Sequence, residues 1–230
     1  MSRSAILIAL CLAMLLVCGG AAFSQADTPA DIKSRLEKAA ALKYDGKDAE
    51  AGEIYESLLP QLRAAGPSPQ LTEVLGNLAD IADTAGQYDR AVELAHESVD
   101  VCQKLGDIKC AGKSHNDAGL AYLNAGEYSE AGSELETALT LSTQAGDAET
   151  SVIVLNNLGN VDYYVAKYSE ALRTYESAAA LVEKSPGEIW APAWRKITRL
   201  NLATLYQRLG NDQRAIGIYH DELNAPHGLS

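Results

Sequence analysis

The chain has 230 residues, of which 47% are hydrophobic and 22% are charged, and its formal net charge at pH 7 is −12. An acidic surface repels the phosphates of nucleic acids and of anionic lipids, so neither is expected as a partner. Basic or neutral proteins remain as candidate partners.

The first 26 residues have the layout of a secretory signal peptide. One cation, Arg3, precedes an uncharged run from Ala5 to Val17, and small residues follow at Ser24 and Ala26. This layout predicts cleavage after Ala26, because signal peptidases cut after small residues. The apolar run is shorter than the ~20 residues of a membrane-spanning helix, so we expect no membrane insertion after cleavage. An alternative is a lipid anchor on Cys18.

Glycines recur along the rest of the chain in two interleaved series. The first has intervals of 40, 40, 40 and 44 residues: Gly46, Gly86, Gly126, Ala166 and Gly210. The second has intervals of 40, 40 and 41 residues: Gly66, Gly106, Gly146 and Gly187. Glycine ends helices because it adopts the left-handed conformation at little cost. Two helix-ending series with one period predict two helices per repeat.

This pattern predicts ten helices in five repeats. In chain order they are Pro29–Tyr44, Lys47–Ala64, Gln70–Thr84, Tyr88–Lys104, Ile108–Asn124, Glu127–Gln144, Ala148–Val165, Tyr168–Lys184, Ala191–Leu209 and Asp212–Leu223. The repeats are about residues 29–66, 70–106, 108–146, 148–187 and 191–223. Because a repeat array grows end to end, we expect one domain over residues 27–225, followed by a tail over 226–230.

Side-chain size follows the same period. Small residues stand five positions after each turn of the first series: Ala51, Ala91, Ala131, Ala171 and Ala215. Small residues also stand seven positions before it: Ala39, Ala79, Gly119, Gly159 and Ala203. Larger residues lie beside them: Tyr55, Leu78, Leu135, Leu158, Tyr175 and Leu202. We therefore expect the two helices of each pair to touch at the small residues.

This arrangement resembles the tetratricopeptide repeat family over about residues 30–222. The 40-residue period is closer to kinesin light chain repeats than to the about 34 residues usual for the family. HEAT and armadillo repeats have a similar length, but they do not place glycine or alanine at both contact sites. The resemblance implies an all-α fold, a right-handed α-solenoid of about five antiparallel helix pairs. It also implies that the first helix of each pair lines a concave face.

In the family, that concave face binds peptides. Counting back from each turn assigns these residues to it: Asn77, Asp80, Asn116, Leu120, Asn156, Asn157, Asn160, Tyr163, Tyr164, Trp194, Asn201, Thr204 and Arg208. Asparagine is a poor helix former, so its recurrence needs a reason. Its amide can pair with the backbone of an extended peptide whatever the peptide's side chains are. The alternative is that these asparagines bond neighbouring helices across repeats.

The two ends of this face differ in character. Asp80 and Asp117 make the amino end acidic, which predicts a basic segment in the partner. Tyr163, Tyr164 and Trp194 offer aromatic anchors at the carboxyl end. The lysine and arginine clamp with which some family members grip a terminal carboxylate is not present.

No motif indicates catalysis, a cofactor or a metal site. The glycines are single, and the four histidines fall in different repeats without a metal-ligand spacing. Two cysteines follow the signal peptide, Cys102 at the end of one predicted helix and Cys110 at the start of the next. They predict either a disulfide across that turn or two small buried side chains.

These features predict a non-enzymatic protein–protein interaction module or scaffold of the cell envelope, either periplasmic or secreted. It would hold an extended peptide or a helix of its partner in the concave face. The alternative is a structural subunit that assembles with itself through the solenoid ends or the convex face. The sequence leaves the partner and the oligomeric state open.

Overall fold

The computed structural model describes residues 27–224, and this part folds into ten helices without a strand. The first helices of the five pairs are α1 (Pro29–Tyr44), α3 (Pro69–Thr84), α5 (Ile108–Ala125), α7 (Ala148–Tyr164) and α9 (Ala191–Arg208). The second helices are α2 (Asp48–Ala65), α4 (Tyr88–Leu105), α6 (Tyr128–Gln144), α8 (Tyr168–Glu183) and α10 (Asp212–Asn224). Every bound lies within one residue of the predicted one. The predicted signal peptide with Cys18, and the tail, lie outside the described residues.

The chain divides between Arg35 and Leu36 into two compact units. In the first unit, the Thr28 hydroxyl accepts from the Asp31 backbone N–H at 3.2 Å, and Asp31 Oδ2 accepts from the Thr28 backbone N–H at 3.0 Å. This reciprocal pair is a capping box, which begins α1. The Thr28 hydroxyl also donates to Asp31 Oδ2 at 2.6 Å. The same hydrogen bonds from Thr28 hold the pKa of Asp31 below its usual value. The second unit contains the rest of α1, from Leu36 onward, and the other nine helices.

Left-handed residues end the helices at the predicted turns. The glycines at positive φ are Gly46, Gly66, Gly86, Gly106, Gly126, Gly146 and Gly210. Ala166 takes the same conformation, with φ of 60°, and is the one non-glycine residue of the described part that does so. Gly187 was expected to end a helix in this way and does not. The reason is that α8 already ends at Glu183, and residues 184–190 form a longer connection to α9.

The predicted small residues lie where the two helices of a pair cross. The eight alanines of the two series are all buried, with at most 2% exposure: Ala39, Ala51, Ala79, Ala91, Ala131, Ala171, Ala203 and Ala215. A Cβ added to Gly159 would stand 2.4 Å from the Tyr175 ring, and one added to Gly119 would stand 2.7 Å from Leu135. Both distances are too short for real atoms, so these glycines allow the close approach of the paired helices.

The stacking of the pairs defines an inner face. Within the second unit, each helix from α2 onward packs on the next helix in the chain. In addition, α3 packs on α5, α5 on α7, and α7 on α9. No two second helices of the described part pack on each other to the same extent. The first helices therefore lie closer together, which makes their outer surface the concave side of a solenoid.

Two tryptophans close the junction at the longer connection. Trp190 and Trp194 pack against Val152, Val182 and Ala191, which belong to α7, α8 and α9. The additional residues between α8 and α9 are therefore accommodated by aromatic packing rather than by a cavity. Trp194, predicted to contact a peptide, contributes at least part of its surface to this core.

Candidate binding groove

The concave surface of α3, α5, α7 and α9, which we call the groove, exposes part of the residues predicted to line it. The exposed ones are Asp80, Tyr164, Thr204 and Arg208. The half-buried ones are Asn77, Leu120, Asn157, Asn160, Tyr163, Trp194 and Asn201. Asn116 and Asn156 are buried, with 8% and 1% exposure.

Paired asparagines connect the first helices of successive repeats. Asn157 Nδ2 donates to Asn116 Oδ1 at 3.0 Å and links α7 to α5. Asn201 Nδ2 donates to Asn156 Oδ1 at 3.0 Å and links α9 to α7. We call these two pairs the amide ladder. They are the bonds across repeats that the sequence offered as the alternative to peptide binding.

Asn156 belongs to the core rather than to the groove. Besides accepting from Asn201, its Nδ2 donates to the Val152 carbonyl and to Thr198 Oγ1, both at 2.9 Å. A buried amide needs such partners, because leaving one unpaired costs about 1–3 kcal/mol. Asn156 and Asn116 are therefore buried between first helices, and peptide binding by either of them stays a prediction that would need the helices to move apart.

Two amide atoms on α7 remain for a ligand. Asn157 uses its Nδ2 in the ladder, and Asn160 uses its Oδ1 to accept from the Tyr175 hydroxyl at 2.6 Å. Asn157 Oδ1 and Asn160 Nδ2 have no partner among residues 27–224. They are one helical turn apart and offer one acceptor and one donor, which matches the N–H and C=O of a peptide backbone.

The acidic end of the groove is partly neutralised by the chain itself. Lys43 Nζ lies 2.6 Å from Asp80 Oδ2 and donates to Asn77 Oδ1 at 3.0 Å. Asn124 Nδ2 donates to both carboxylate oxygens of Asp83, at 3.0 and 2.8 Å. Burial raises the pKa of Asp83, while the bond from Asn124 opposes the rise. These carboxylates therefore attract a basic partner less strongly than their number suggests.

A cavity of about 390 Å³ opens between α3 and α5. Its walls are formed by Pro69, Thr72, Glu73, Gly76, Asn77, Ser98, Leu105, Asp107, Lys109, Cys110, Lys113, Ser114 and Asp117. Burial raises the pKa of Asp117 from 3.8 to about 7, although the bond from Asn116 opposes the rise. This carboxyl therefore holds its proton to a higher pH than an exposed aspartate does.

Four tyrosines and an arginine form what we call the tyrosine cluster. Tyr164 stacks on Tyr128 with ring centres 5.6 Å apart, and Tyr163 meets Tyr164 edge-on at 5.7 Å. Tyr163 also contacts Tyr168 at 5.8 Å. Arg208 Nε donates to the Tyr168 hydroxyl at 2.9 Å, and the guanidinium lies 5.7 Å from the ring centre. Tyr164 is 60% exposed, so the cluster presents an aromatic face to solvent.

Two other predicted groove residues serve the structure at least in part. Leu120 packs against a core cluster that contains Leu123 and Leu135. The Thr204 hydroxyl donates to the Leu200 carbonyl of its own helix at 3.0 Å, yet the residue stays exposed. Only Thr204 of the two is available for a ligand without rearrangement.

Cys102 and Cys110 form a disulfide that joins α4 to α5, with their Cα atoms 5.6 Å apart. Beside it, the hydroxyls of Ser98 and Ser114 lie 2.8 Å apart in the buried contact between the same helices. Because Cys110, Ser98 and Ser114 also line the cavity, the disulfide fixes one of its walls.

Two histidines, on α4 and α5, share the carboxylate of Glu134 on α6. His96 Nε2 and His115 Nδ1 lie 3.0 and 2.6 Å from the two oxygens of Glu134, and the bond with His115 holds the pKa of Glu134 below its usual value. Residues 27–224 contain no group of three side chains placed to hold a metal ion. Nor does any helix within these bounds combine the length and apolar character needed to cross a bilayer.

Sequence reasoning missed Lys43 and the roles of Tyr128 and Tyr168 in the groove. Lys43 stands three positions before Gly46, where Tyr163 stands before Ala166. That correspondence could have revealed Lys43, but the atypical first repeat obscured it. Tyr128 and Tyr168 follow their turns at a fixed offset, which indicates packing and gives no sign of exposure.

The helix pairs, their crossings and the concave face define an α-solenoid of the kind that serves as a protein-interaction scaffold. Profiles of the tetratricopeptide repeat match residues 71–105, 111–184 and 198–229, together more than half of the chain. The chain therefore belongs to the tetratricopeptide repeat family, whose members are generally non-enzymatic interaction modules.

Known proteins resemble this chain in part. Anaphase-promoting complex subunit 6 of Arabidopsis thaliana is 35% identical over 71 residues, which are 31% of this chain and 12% of that protein. The matched region is thus a small part of that relative's length. A putative kinesin light chain of Podosopora anserina, with nearly identical TPR-like repeats, superposes with a TM-score of 0.66 at 21% identity, covering 86% of this chain and 99% of that one.

A regulator that binds a peptide has the same fold. The Rap conjugation gene regulator of plasmid pLS20, solved in complex with the Phr* peptide, superposes with a TM-score of 0.68 at 16% identity. The superposition covers 90% of this chain and 58% of the regulator. At these identities the likeness establishes the fold, and the predicted kinesin light chain-type architecture is confirmed.

Proposed function

We propose that this protein is a non-enzymatic module that holds an extended segment of a partner protein in its groove. One observation carries the proposal: Asn157, Asn160 and Tyr164 follow each other along one side of α7. Two of them retain an unpaired amide atom, and the third has an aromatic ring that is 60% exposed.

The chemistry of these groups suits an extended peptide. The free acceptor and donor can pair with one peptide unit of the partner, which binds without regard to its side chains. An apolar or aromatic side chain of the partner can then pack on the tyrosine cluster, and such anchors supply most of the binding energy in protein interfaces. The regulator of the same fold that was solved in complex with a peptide supports peptide binding as the use of such a solenoid.

Peptides selected from a random 12-residue display library on the purified protein test the proposal. Ile197 is exposed on α9, one helical turn before the groove residue Asn201. We expect Tyr164→Ala combined with Ile197→Ala to weaken the selected peptides about tenfold or more, because both apolar surfaces are exposed. The matched control is Thr137→Ala with Ser177→Ala on α6 and α8, whose exposed hydroxyls bond only their own helices. Equal affinities for the two double variants would overturn the proposal.

We further propose that the protein works outside the cytoplasm, in the periplasm or the surrounding medium. The charge and size pattern of the first 26 residues supports export, and so does the disulfide, since such bonds persist in oxidising compartments. Intact mass spectrometry of the native protein should give a chain that begins at Asp27. A chain that retains Met1 contradicts export, and a lipid on Cys18 would favour the anchored alternative.

Self-assembly is a second candidate, favoured by one feature of the last helix. On α10, Ile216 and Leu223 are 65% and 78% exposed, so the end of the solenoid carries an apolar surface. Light scattering over a concentration series separates the two functions. An oligomer that dissociates in Ile216→Ser with Leu223→Ser supports assembly, whereas a monomer at every concentration rejects it.

A further inference from the structure

We propose that the cavity between α3 and α5 receives a basic side chain, arginine or lysine, which the partner segment inserts to pair with Asp117. This inference rests on the proposed function, because it specifies what the amino end of the groove recognises. The support comes from comparing equivalent positions in successive repeats.

The amide ladder follows a simple rule of position. The residue ten positions before the turn of one repeat accepts from the residue nine positions before the turn of the next repeat. Asn116 accepts from Asn157 in this way across α5 and α7, and Asn156 accepts from Asn201 across α7 and α9. Both bonds measure 3.0 Å, so the two junctions have the same geometry.

The junction between α3 and α5 breaks the rule. Gly76 stands at the accepting position and has no side chain, and Asp117 stands where the donating asparagine would be. A Cβ added to Gly76 would stand 3.8 Å from Asp117 Oδ2, so the carboxyl points at the missing side chain. Its one hydrogen bond, from Asn116 Nδ2, is long at 3.5 Å. The space left by the absent side chain forms part of the cavity.

The missing partner must be a donor, and a charged one fits best. An ionised carboxyl can only accept hydrogen bonds, and in a confined site an unpaired charge is costly. Glu73 and Asp107 add two further carboxylates to the walls of the cavity. A guanidinium or ammonium group would pair with Asp117 and would favour its ionised form.

The chain's own lysines do not already fill this role. Lys43 pairs with Asp80 at 2.6 Å, and Lys109 lies 3.4 Å from Asp147 Oδ2. Lys113 lines the cavity but forms no ion pair with any carboxylate of the described residues. Burial raises the pKa of Asp117 to about 7 even though the charges of Lys43 and Lys113 lower it. A cation from outside therefore has an uncompensated carboxyl to bind.

Titration of the purified protein with N-acetyl-arginine N-methylamide, followed by NMR, tests this inference. We expect shifts confined to the amides around Gly76 and Asp117. The uncharged citrulline analogue has almost the same shape, and it should bind about tenfold more weakly because a charge-assisted bond is lost. The lysine derivative should bind like arginine. Equal affinities for arginine and citrulline would overturn the inference.

Two substitutions address the site directly. Asp117→Asn keeps the size of the side chain and should weaken the arginine derivative about tenfold. Gly76→Asn supplies the missing ladder residue, so it should occupy the cavity and abolish binding. The control Gly132→Asn, on α6, adds a Cβ whose nearest neighbour, on Val161, is 4.0 Å away, and it should leave binding unchanged because it lies outside the cavity. Unchanged binding by Asp117→Asn would also overturn the inference.

The same measurements separate this inference from the proposed function. In one result, the selected peptides need Tyr164 and Ile197 and yet bind Asp117→Asn as tightly as they bind the parent protein. That result supports peptide binding in the groove and contradicts the insertion of a basic side chain. In the opposite result, the arginine derivative needs Asp117 but no selected peptide needs Tyr164. That result contradicts peptide binding in the groove and supports a basic side chain in the cavity.

Discussion

At the scale of single residues, Ala166 is strained where four other turns use glycine. It holds φ of 60°, a region that disfavours side chains with a Cβ. Ala166→Gly should raise the free energy of unfolding by about 0.5–1 kcal/mol, because the relief of strain exceeds the extra freedom of the unfolded chain. Urea unfolding followed by circular dichroism measures the change.

The control for that substitution is another alanine at the end of a helix. Ala145 ends α6 with φ of −75°, where alanine is unstrained. Ala145→Gly should lower the free energy of unfolding by about 0.5–1 kcal/mol, since glycine then only adds flexibility. If both substitutions stabilise the protein, strain at Ala166 is not the cause.

Asp117 should make stability depend on pH near neutrality. Burial raises the pKa of its carboxyl to about 7 in the folded protein, so the folded state keeps a proton that the unfolded chain releases near pH 4. The stability that the protonated carboxyl contributes to the folded state is complete below pH 4 and is lost as the pH rises through 7. Asp117→Asn should therefore be more stable than the parent at pH 8, by about 2–4 kcal/mol, and equal to it near pH 4.

Comparison of urea unfolding at pH 4, 6 and 8 gives the measurement. The exposed carboxylate Asp100 on α4 provides the control, because Asp100→Asn makes the same chemical change on the surface, away from the cavity. An advantage of Asp117→Asn that does not grow between pH 6 and 8 would contradict the raised pKa.

The sequence predicts some residue roles well and others poorly, for a physical reason. The contacts of Gly119, Gly159 and Ala131 could be predicted because two helices joined by a short turn must meet at the smallest side chains. The partners of Asn156 could not, since a bond to Asn201 depends on how one pair rotates against the next. That rotation is set by the packing of whole helices and leaves no mark in the local pattern.

At the scale of helices, the amide ladder holds first helices together where no covalent link exists. Asn156→Ala should lower the free energy of unfolding by about 2–3 kcal/mol, because it creates a small void and removes buried partners of Asn201 and Thr198. Thermal and urea unfolding measure the loss. Thr140→Ala, an exposed hydroxyl bonded only to its own helix, should change stability by less than about 0.5 kcal/mol.

If Asn156→Ala proves as mild as Thr140→Ala, the ladder is not a structural bond. The presence of Asn156 would then be explained better by peptide binding, with the peptide reaching this residue after α7 and α9 move apart. The helix pairs themselves could be predicted from the 40-residue period alone. Their bonds to each other could not, because the same asparagines satisfy either role.

At the scale of the whole molecule, stability should fall towards the last helix. In a solenoid each repeat contacts only its neighbours, so a terminal helix lacks a partner on one side. On α10 only Ala215 is buried, whereas α4 buries seven residues. Hydrogen exchange of the monomer should therefore be at least about tenfold faster in α10 than in α4. Equal protection would mean that something covers the last helix.

The fold of residues 27–224 was predictable because it repeats. Five approximations to one pattern reveal which positions pack, and each helix end is marked by glycine or by Ala166. The long connection at residues 184–190 was the exception, since an insertion interrupts the period and the two tryptophans there pack in a way specific to one junction. The accessible part of the groove could be predicted only in outline.

Each junction between repeats carries its own pair of side chains, so the binding properties of the groove can be changed one junction at a time. Asn116→Gly together with Asn157→Asp would transplant the arrangement of Gly76 and Asp117 one repeat further along the solenoid. A chain with two such sites, 40 positions apart in sequence, would bind two basic side chains of one ligand at the same time. Selectivity in an array of this kind can therefore change by exchanging two residues, without altering the fold.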